Sequence, residues 1–296
     1  MPIEKIFPGL EDIVAIDQEI EILGTGYDVA EGPIWFSDLE YLLFSDIRND
    51  RRMKWTAEEG VTLNRQTTNH GNGLTRDLQG RLIACEHLSR SVTRLENNGN
   101  VTIVADKFDG VRLNTPNDVV VKSDGSIYFT DPTLTGQVGD MDYSGIYKVS
   151  PDLKTIDLLS QDFPSPNGLA FSPDERLLYI NDFSHSHIRV FEVQSNGSLA
   201  NDRLFYTLKG SRLGSTDGMK VDIIGNVYCT GPGGVWIINP DGQHLGTIIT
   251  GSDLQTTNCA WGEEDGKTLF ITTRDSLMRV RLKIPGVAVP PLLSSK

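Results

Sequence analysis

The chain has 296 residues and a formal net charge of −13, from 27 Lys and Arg against 40 Asp and Glu. This acidic balance argues against a nucleic-acid partner and against binding to an anionic membrane surface, because both require clustered basic residues. Hydrophobic residues make up 38% of the chain and charged residues 23%, which is the composition of a folded globular protein and not of a disordered one.

The sequence also indicates a cellular compartment. Its three cysteines lie in separate apolar runs without a CxxC motif, so we expect reduced core residues. There is no stretch of about 18 apolar residues, and the N-terminus lacks the basic start and cleavage site of a secretory signal. These features predict a soluble, cytoplasmic protein with no membrane segment, and a monomer is the default expectation.

A unit of about 40 to 50 residues recurs along the chain, which is a period typical of propeller blades. Each copy opens with a polar residue that precedes a short apolar strand, and the six openings are Glu31, Asn72, Asn117, Asn167, Asp217 and Asn258. Eight positions after each opening comes a predicted turn, at Leu39, Gly80, Gly125, Glu175, Gly225 and Gly266. Glycine and its neighbouring Asp, Ser and Asn residues suit the tight turns of hairpins.

Each unit is expected to contain four antiparallel strands. The second strand is apolar, as at residues 127–130, and the third alternates in hydrophobicity, as at residues 188–193. A fourth strand closes most units, as at residues 101–104. Six such sheets arranged radially make an all-β, six-bladed β-propeller, which we expect to form one domain over residues 1–296 with few helices.

The two ends of the chain are predicted to close the ring. The last unit supplies three clear strands before a Pro-rich tail at residues 284–296, and a spare apolar segment at about residues 13–23 precedes the first unit. We expect this N-terminal strand to complete the last blade, because an open propeller would leave unpaired strand edges.

The first strand of a blade lines the central channel, so the six opening residues are predicted to converge there. All six carry a carboxylate or a carboxamide, and a water-filled polar channel is the simplest explanation for them. However, Glu31 and Asp217 would repel each other in a confined channel unless a cation lay between them. Such an oxygen shell favours calcium, and ligand type alone also admits magnesium, manganese, ferrous iron or zinc.

The loops at the same end of the ring are predicted to form the mouth of the site. Arg112, His87 and Asp131 lie on these loops, within expected reach of a ligand bound on the cation. The longest of them covers residues 131–144, contains glycine and is a candidate lid.

The sequence resembles one known family, the calcium-dependent lactonases that include gluconolactonase, regucalcin and senescence marker protein. The resemblance covers nearly the whole chain. It is carried by several motifs in the expected order, namely residues 30–35 (AEGPIW), 72–87 (NGLTRDLQGRLIACEH), 92–99 (VTRLENNG), 112–132 (RLNTPNDVVVKSDGSIYFTDP), 165–180 (SPNGLAFSPDERLLYI), 216–222 (TDGMKVD) and 258–261 (NCAW).

This resemblance implies a function and assigns roles to particular residues. It implies that one cation is held by Glu31, Asn117, Asn167 and Asp217, that Asp217 accepts and donates a proton, and that Arg112 contacts the substrate. The expected reaction is metal-dependent hydrolysis of a sugar-acid lactone. Asn72, Asn117 and Asn258 are placed to hydrogen-bond the hydroxyl groups of such a substrate.

Three alternative functions remain open at this point. The chain can be an aldonolactonase for another sugar-acid lactone, or a phosphotriesterase of the diisopropyl fluorophosphatase type, which the same resemblance allows. It can also be a non-enzymatic calcium-binding propeller, because this fold carries many unrelated functions.

Overall fold

The structure is a computed structural model and describes residues 2–133, 140–251 and 255–290. These residues form 27 β-strands and one short 3₁₀ helix. The strands make six antiparallel blades and one small hairpin, so the prediction of an all-β, six-bladed propeller is confirmed. No helix of the described residues is long and apolar enough to cross a membrane.

Three short elements precede the first blade. In chain order they are β1 (Ile3–Lys5), the 3₁₀ helix (Leu10–Asp12) and β2 (Glu21–Thr25).

The first three blades follow, with the small hairpin between the second and the third. Blade 1 consists of β3 (Ala30–Phe36), β4 (Tyr41–Asp46), β5 (Arg51–Thr56) and β6 (Gly60–Gln66). Blade 2 consists of β7 (Gly71–Arg76), β8 (Leu82–Glu86), β9 (Ser91–Leu95) and β10 (Val101–Ala105). The hairpin is β11 (Lys107–Phe108) with β12 (Val111–Arg112). Blade 3 consists of β13 (Val119–Val121), β14 (Ile127–Asp131), β15 (Gly145–Val149) and β16 (Ile156–Ser160).

The remaining blades complete the ring. Blade 4 consists of β17 (Pro166–Phe171), β18 (Leu177–Asp182), β19 (His187–Val193) and β20 (Leu199–Thr207). Blade 5 contains β21 (Met219–Val221), β22 (Val227–Gly231), β23 (Gly234–Ile238) and β24 (His244–Ile249). Blade 6 contains β25 (Thr256–Gly262), β26 (Thr268–Thr273) and β27 (Ser276–Arg281).

The turn between the first and second strands of each blade contains a residue in the left-handed backbone region. In blades 2 to 6 this residue is the one predicted from the repeat, with φ of +78° at Gly80 and +56° at Glu175, for example. In blade 1 it is Glu40, with φ of +53°, one position after the predicted Leu39. The repeat therefore locates these turns to within one residue.

The N-terminal strand closes the ring, as predicted, but it begins later than expected. Strand β2 pairs with β27, and Glu21 lies opposite Arg279 in that pairing. The predicted segment at about residues 13–23 is only partly strand, because Ile13 and Val14 follow the 3₁₀ helix and are 2% and 0% exposed. Two consecutive buried side chains suit a turn packed between blades 5 and 6, whereas successive side chains of a strand point to opposite faces.

Strand β1 was not predicted from the sequence. It pairs with β24 and makes blade 5 five-stranded, with Ile3 opposite Ile248. Three residues are too few for a period-2 pattern to stand out, so the sequence gives no clear signal for this strand. The N-terminal segment therefore contacts two blades, blade 5 through β1 and blade 6 through β2.

The apolar core lies between neighbouring blades. Blades 6 and 1 meet through Trp35 and Phe270, whose rings stack with centroids 5.7 Å apart. The three cysteines are completely buried in such clusters and form no disulfide. Packing between blades supplies the apolar core. The starts of the innermost strands are therefore not needed for this core and can carry polar residues.

Candidate functional site

The six opening residues of the repeat are all buried, where the innermost strands of neighbouring blades meet. Glu31 and Asn72 lie within β3 and β7, whereas Asn117 and Asp217 lie just before β13 and β21. Their exposed fractions are 4% for Glu31, 3% for Asn72, 8% for Asn117, 8% for Asn167, 8% for Asp217 and 2% for Asn258. Burial of six polar side chains at equivalent positions requires partners for them.

Hydrogen bonds between successive blades fix the backbone at these positions. Ser45 Oγ donates to the carbonyl oxygen of Asn72 at 2.7 Å, and Thr130 Oγ donates to that of Asn167 at 2.6 Å. Asn181 Nδ2 donates to the carbonyl oxygen of Asp217 in the same way. The donor in each case comes from the second strand of the preceding blade. These donors were not predicted, although a polar residue at the end of an apolar second strand was visible in the sequence.

The carboxyl groups of Glu31 and Asp217 lie close enough together for each to perturb the pKa of the other. Burial raises the pKa of both groups, and the neighbouring Glu31 raises the pKa of Asp217 further. This is the effect expected of two carboxylates in a confined channel, where one of the two pKa values rises strongly. In the structure the pair is compatible with one shared proton.

Amide donors hold this carboxyl pair in place. Glu31 Oε2 accepts from Asn258 Nδ2 at 3.0 Å and from the backbone N–H of Gly32 at 2.6 Å. Asp217 Oδ2 accepts from Gln255 Nε2 at 3.0 Å, and the nearby side chain of Asn167 opposes the rise in the pKa of Asp217. The structure thus brings together four of the predicted residues, Glu31, Asn167, Asp217 and Asn258. It adds Gln255, which is not an opening residue of the repeat.

Two further charged residues of the site were missed. Asp118 is 2% exposed, and its charge acts on both Glu31 and Asp217. Burial raises the pKa of Asp118, and the Lys220 ammonium opposes that rise. Lys220 Nζ donates to Asn258 Oδ1 at 3.3 Å. When all four groups are ionised, the carboxylates of Glu31, Asp118 and Asp217 and the ammonium of Lys220 give the site a formal charge of −2.

The residues present fit a divalent cation. The two meeting carboxyl groups of Glu31 and Asp217 are the observation that supports this, because a cation can replace their shared proton and remove their repulsion. The described residues hold no cluster of three or more His, Cys, Asp or Glu side chains arranged for a metal, so amide oxygens would have to complete the shell. Asn117 and Asn167 offer those oxygens, which are ligands that calcium accepts.

Arg112, predicted to contact substrate, lies exposed on the small hairpin. Its Nη2 donates to the carbonyl oxygen of Ser89 at 2.7 Å, which ties the hairpin to blade 2. In the described part of the chain no hydrogen bond or ion pair joins Arg112 to the buried opening residues. Its role in substrate binding stays a prediction.

Asp131, also predicted at the mouth, is completely buried and supports the backbone. Its Oδ2 accepts from the N–H of Asn114 at 2.7 Å, and its Oδ1 accepts from the N–H of Thr115 at 2.6 Å. Asp131 therefore fixes the loop that leads to Asn117, and its predicted contact with the substrate stays a prediction. The predicted lid at residues 131–144 includes residues 134–139, which lie outside the described residues.

We expect Asp131→Ala to lower the free energy of unfolding by about 2 kcal/mol, because alanine leaves the buried N–H groups of Asn114 and Thr115 without the acceptors that Asp131 provides. Urea unfolding followed by circular dichroism measures this change. Asp241→Ala, at an exposed turn, is the control and should leave the unfolding midpoint unchanged. Equal stability of both variants would show that Asp131 does not hold the loop.

His87 and Asn72 lie next to each other at the start of blade 2. Asn72 Nδ2 donates to His87 Nε2 at 3.0 Å. Burial lowers the pKa of His87 to about 4, with a smaller contribution from His70, so the imidazole is neutral at pH 7. The pairing of these two predicted residues was not foreseen.

Comparisons with known proteins agree with this fold. Residues 29–275 match the model of the SMP-30/gluconolactonase/LRE-like region. A gluconolactonase of Zymomonas mobilis is 33% identical over 312 aligned positions, which cover 96% of this chain and 87% of that protein. The pentonolactonase XacC of Haloferax volcanii is 23% identical, with 85% of this chain and 84% of that protein covered.

A solved structure shows the same architecture. The gluconolactonase of Xanthomonas campestris superimposes with a TM-score of 0.88 at 30% identity, covering 95% of each chain. The match of the family model covers most of the present chain, including every opening residue from Glu31 to Asn258. The chain therefore belongs to the SMP-30/gluconolactonase/LRE-like family.

Proposed function

We propose that this protein is a hydrolase that opens a sugar-acid lactone with the help of one divalent cation, for which calcium is the best fit. The observation that carries the proposal is the buried Glu31–Asp217 carboxyl pair, surrounded by amide groups at the centre of the ring. The names of the relatives, gluconolactonase and pentonolactonase, support a lactone as the substrate.

The ligands of the cation would be Glu31, Asn117, Asn167 and Asp217. When bound, a divalent cation supplies positive charge that polarises the lactone carbonyl and stabilises negative charge on its oxygen. Anionic and amide oxygens without thiolate or imidazole are the donors that calcium prefers. Asp118 adds negative charge close to this set and should strengthen cation binding.

Asp217 is the proposed proton carrier. Its carboxylate takes a proton from the attacking water as the water oxygen bonds to the carbonyl carbon. When the bond from that carbon to the ring oxygen breaks, Asp217 returns the proton to the ring oxygen, which becomes a hydroxyl group. Gln255 Nε2 donates to Asp217 Oδ2 and orients the carboxylate for both transfers. A bound cation lowers the pKa of a carboxylate that binds it, so the position of Asp217 at the cation, and not a high basicity, would carry this role.

The first experiment measures hydrolysis of D-glucono-1,5-lactone with a pH indicator, above the spontaneous rate. Protein stripped with a chelator is compared with and without added calcium. Calcium-restored turnover is the expected result. If the protein binds calcium but hydrolyses no lactone, the proposal is wrong, and a phosphotriester substrate or a non-enzymatic calcium-binding role takes its place.

Glu31→Gln is expected to change cation affinity and cation-free stability in opposite directions. Glutamine can keep the hydrogen bonds from Asn258 and Gly32, but it removes one charge from the cation shell, so calcium should bind more weakly. Without a cation, the buried Glu31 has a raised pKa. A raised pKa stabilises the fold below the ordinary glutamate value of 4.5, and this contribution is lost as the pH rises through the raised value.

The stripped variant should therefore be more stable than the stripped wild type at pH 8, and the gain should vanish at acid pH. The expected gain is about 1.4 kcal/mol for each unit by which folding raises the pKa of Glu31. Calcium titration calorimetry and urea unfolding at several pH values measure the two effects. Glu58→Gln, at an exposed position, is the control. A calcium affinity equal to that of the wild type would remove Glu31 from the cation shell.

A further inference from the structure

The loop before blade 2 is held in an unusual backbone conformation. Thr67, Asn69 and His70 have φ of +64°, +56° and +52°, in a region that non-glycine residues seldom adopt. Asp50 Oδ1 fixes the loop by accepting from the N–H groups of Thr68 at 2.9 Å and His70 at 2.8 Å. Backbone strain of this kind persists where the surrounding structure enforces it, and it clusters at functional sites.

This loop positions a pair of side chains beside the cation-binding residues. The N–H of His87 donates to the carbonyl oxygen of His70 at 3.3 Å, which brings the imidazole next to Asn72. His87 Nε2 then accepts from Asn72 Nδ2 at 3.0 Å. A neutral imidazole that accepts at Nε2 carries its proton on Nδ1, so the donor of the pair is the Asn72 amide.

The oxygen of the Asn72 side-chain amide has no hydrogen-bond partner among the described residues. Asn72 Oδ1 is buried and receives no hydrogen bond in the described part of the chain, and the whole residue is 3% exposed. A buried acceptor without a donor is destabilising, so native proteins seldom keep one without a ligand or water to satisfy it. Asn72 occupies the same position in its blade as the proposed cation ligands occupy in theirs.

We infer that Asn72 Oδ1 accepts a hydrogen bond from a hydroxyl group of the substrate, and that His87 is the positioning residue that turns the amide oxygen toward it. This inference rests on the proposed lactonase function and names the residue that distinguishes a hydroxylated lactone from one without hydroxyl groups. A site built to bind a hydroxyl rejects an analogue that lacks it, because the buried acceptor is then left unpaired.

The test compares D-glucono-1,5-lactone with δ-valerolactone, which has the same six-membered ring without hydroxyl groups. The wild type should prefer gluconolactone by at least about a thousandfold in kcat/KM. Asn72→Leu should reduce this preference by about a hundredfold. His87→Leu should reduce the preference for gluconolactone by a smaller factor, mainly by raising the KM for this substrate. His87→Gln, which keeps an acceptor for Asn72 Nδ2, should restore most of it.

Two measurements separate this role from a structural or cation-binding one. Calcium affinity, measured by titration calorimetry, should stay close to the wild-type value in both His87 variants. His185→Leu changes an exposed histidine and should leave the substrate preference unchanged. Equal turnover of the two lactones by the wild type would overturn this inference and leave the lactonase proposal intact. Turnover of neither lactone would overturn both, and an unchanged preference in Asn72→Leu would overturn the inference alone.

Discussion

Replacing Asp217 with asparagine is expected to leave the propeller folded and to lower kcat for lactone hydrolysis by at least about a hundredfold, the usual size of a general-base effect. Asparagine has the same shape and keeps one oxygen for a cation, but its amide cannot take up a proton. Gln255 and Asn167 can still hydrogen-bond to the new side chain. The loss should therefore fall on the chemical step, with a smaller loss of calcium affinity.

Single-turnover measurements at saturating calcium separate these two effects. Asp241→Asn is a matched change at an exposed position and should behave as the wild type. Circular dichroism of Asp217→Asn should match that of the wild type. If Asp217→Asn turns over lactone at the wild-type rate with saturating calcium, another group carries the proton.

Deleting residues 1–25 is expected to abolish the cooperative folding of the whole protein. The deletion removes β1, the 3₁₀ helix and β2, and with them four fully buried side chains, Ile3, Leu10, Ile13 and Val14. Each contributes about 1.5 to 3 kcal/mol. Their sum is comparable with the entire stability of a typical domain, about 5 to 15 kcal/mol. The deletion also leaves β24 and β27 as open strand edges.

A shorter deletion provides the control. Removing residues 1–6 takes away β1 but leaves Leu10, Ile13, Val14 and β2 in place. That protein should stay folded, with a lower unfolding midpoint. Thermal unfolding of the two deletion proteins, followed by near-ultraviolet circular dichroism, measures the difference. A cooperative, wild-type-like transition in the protein without residues 1–25 would show that the ring does not need its N-terminal strand.

The repeat period predicted the architecture well, because five blades have the same spacing between opening residue and turn and blade 1 differs by one residue. The repeat period was less informative about the channel, because side chains do not alternate regularly between the two faces of the innermost strands there. The pairing of β3 with β4 shifts register between Glu31 and Ile34, and similar shifts follow the starts of β7, β17 and β25. Such bulges redirect side chains, so a period-2 pattern does not identify which neighbours of an opening residue share its surroundings.

Asp118 and Gln255 illustrate this limit. Asp118 directly follows Asn117, and both precede β13, so alternation would have placed their side chains on opposite sides. Gln255 lies just before β25 and reaches Asp217 from the neighbouring blade. Contacts of this kind depend on how two blades pack together, and the sequence of one blade does not contain that information. The same holds for Lys220, which donates a hydrogen bond to Asn258 of the next blade.

Ring closure by β2 has a consequence for the synthesis of the protein. Glu21 and its partner Arg279 are 258 positions apart in the chain. Strand β2 is therefore synthesised long before its partner β27, and their pairing must wait until β27 has left the ribosome. Joining such distant segments is slow, and the growing chain carries unpaired edges and apolar surface in the meantime. Translation speed and chaperone supply should therefore control the yield of this protein more strongly than its final stability does.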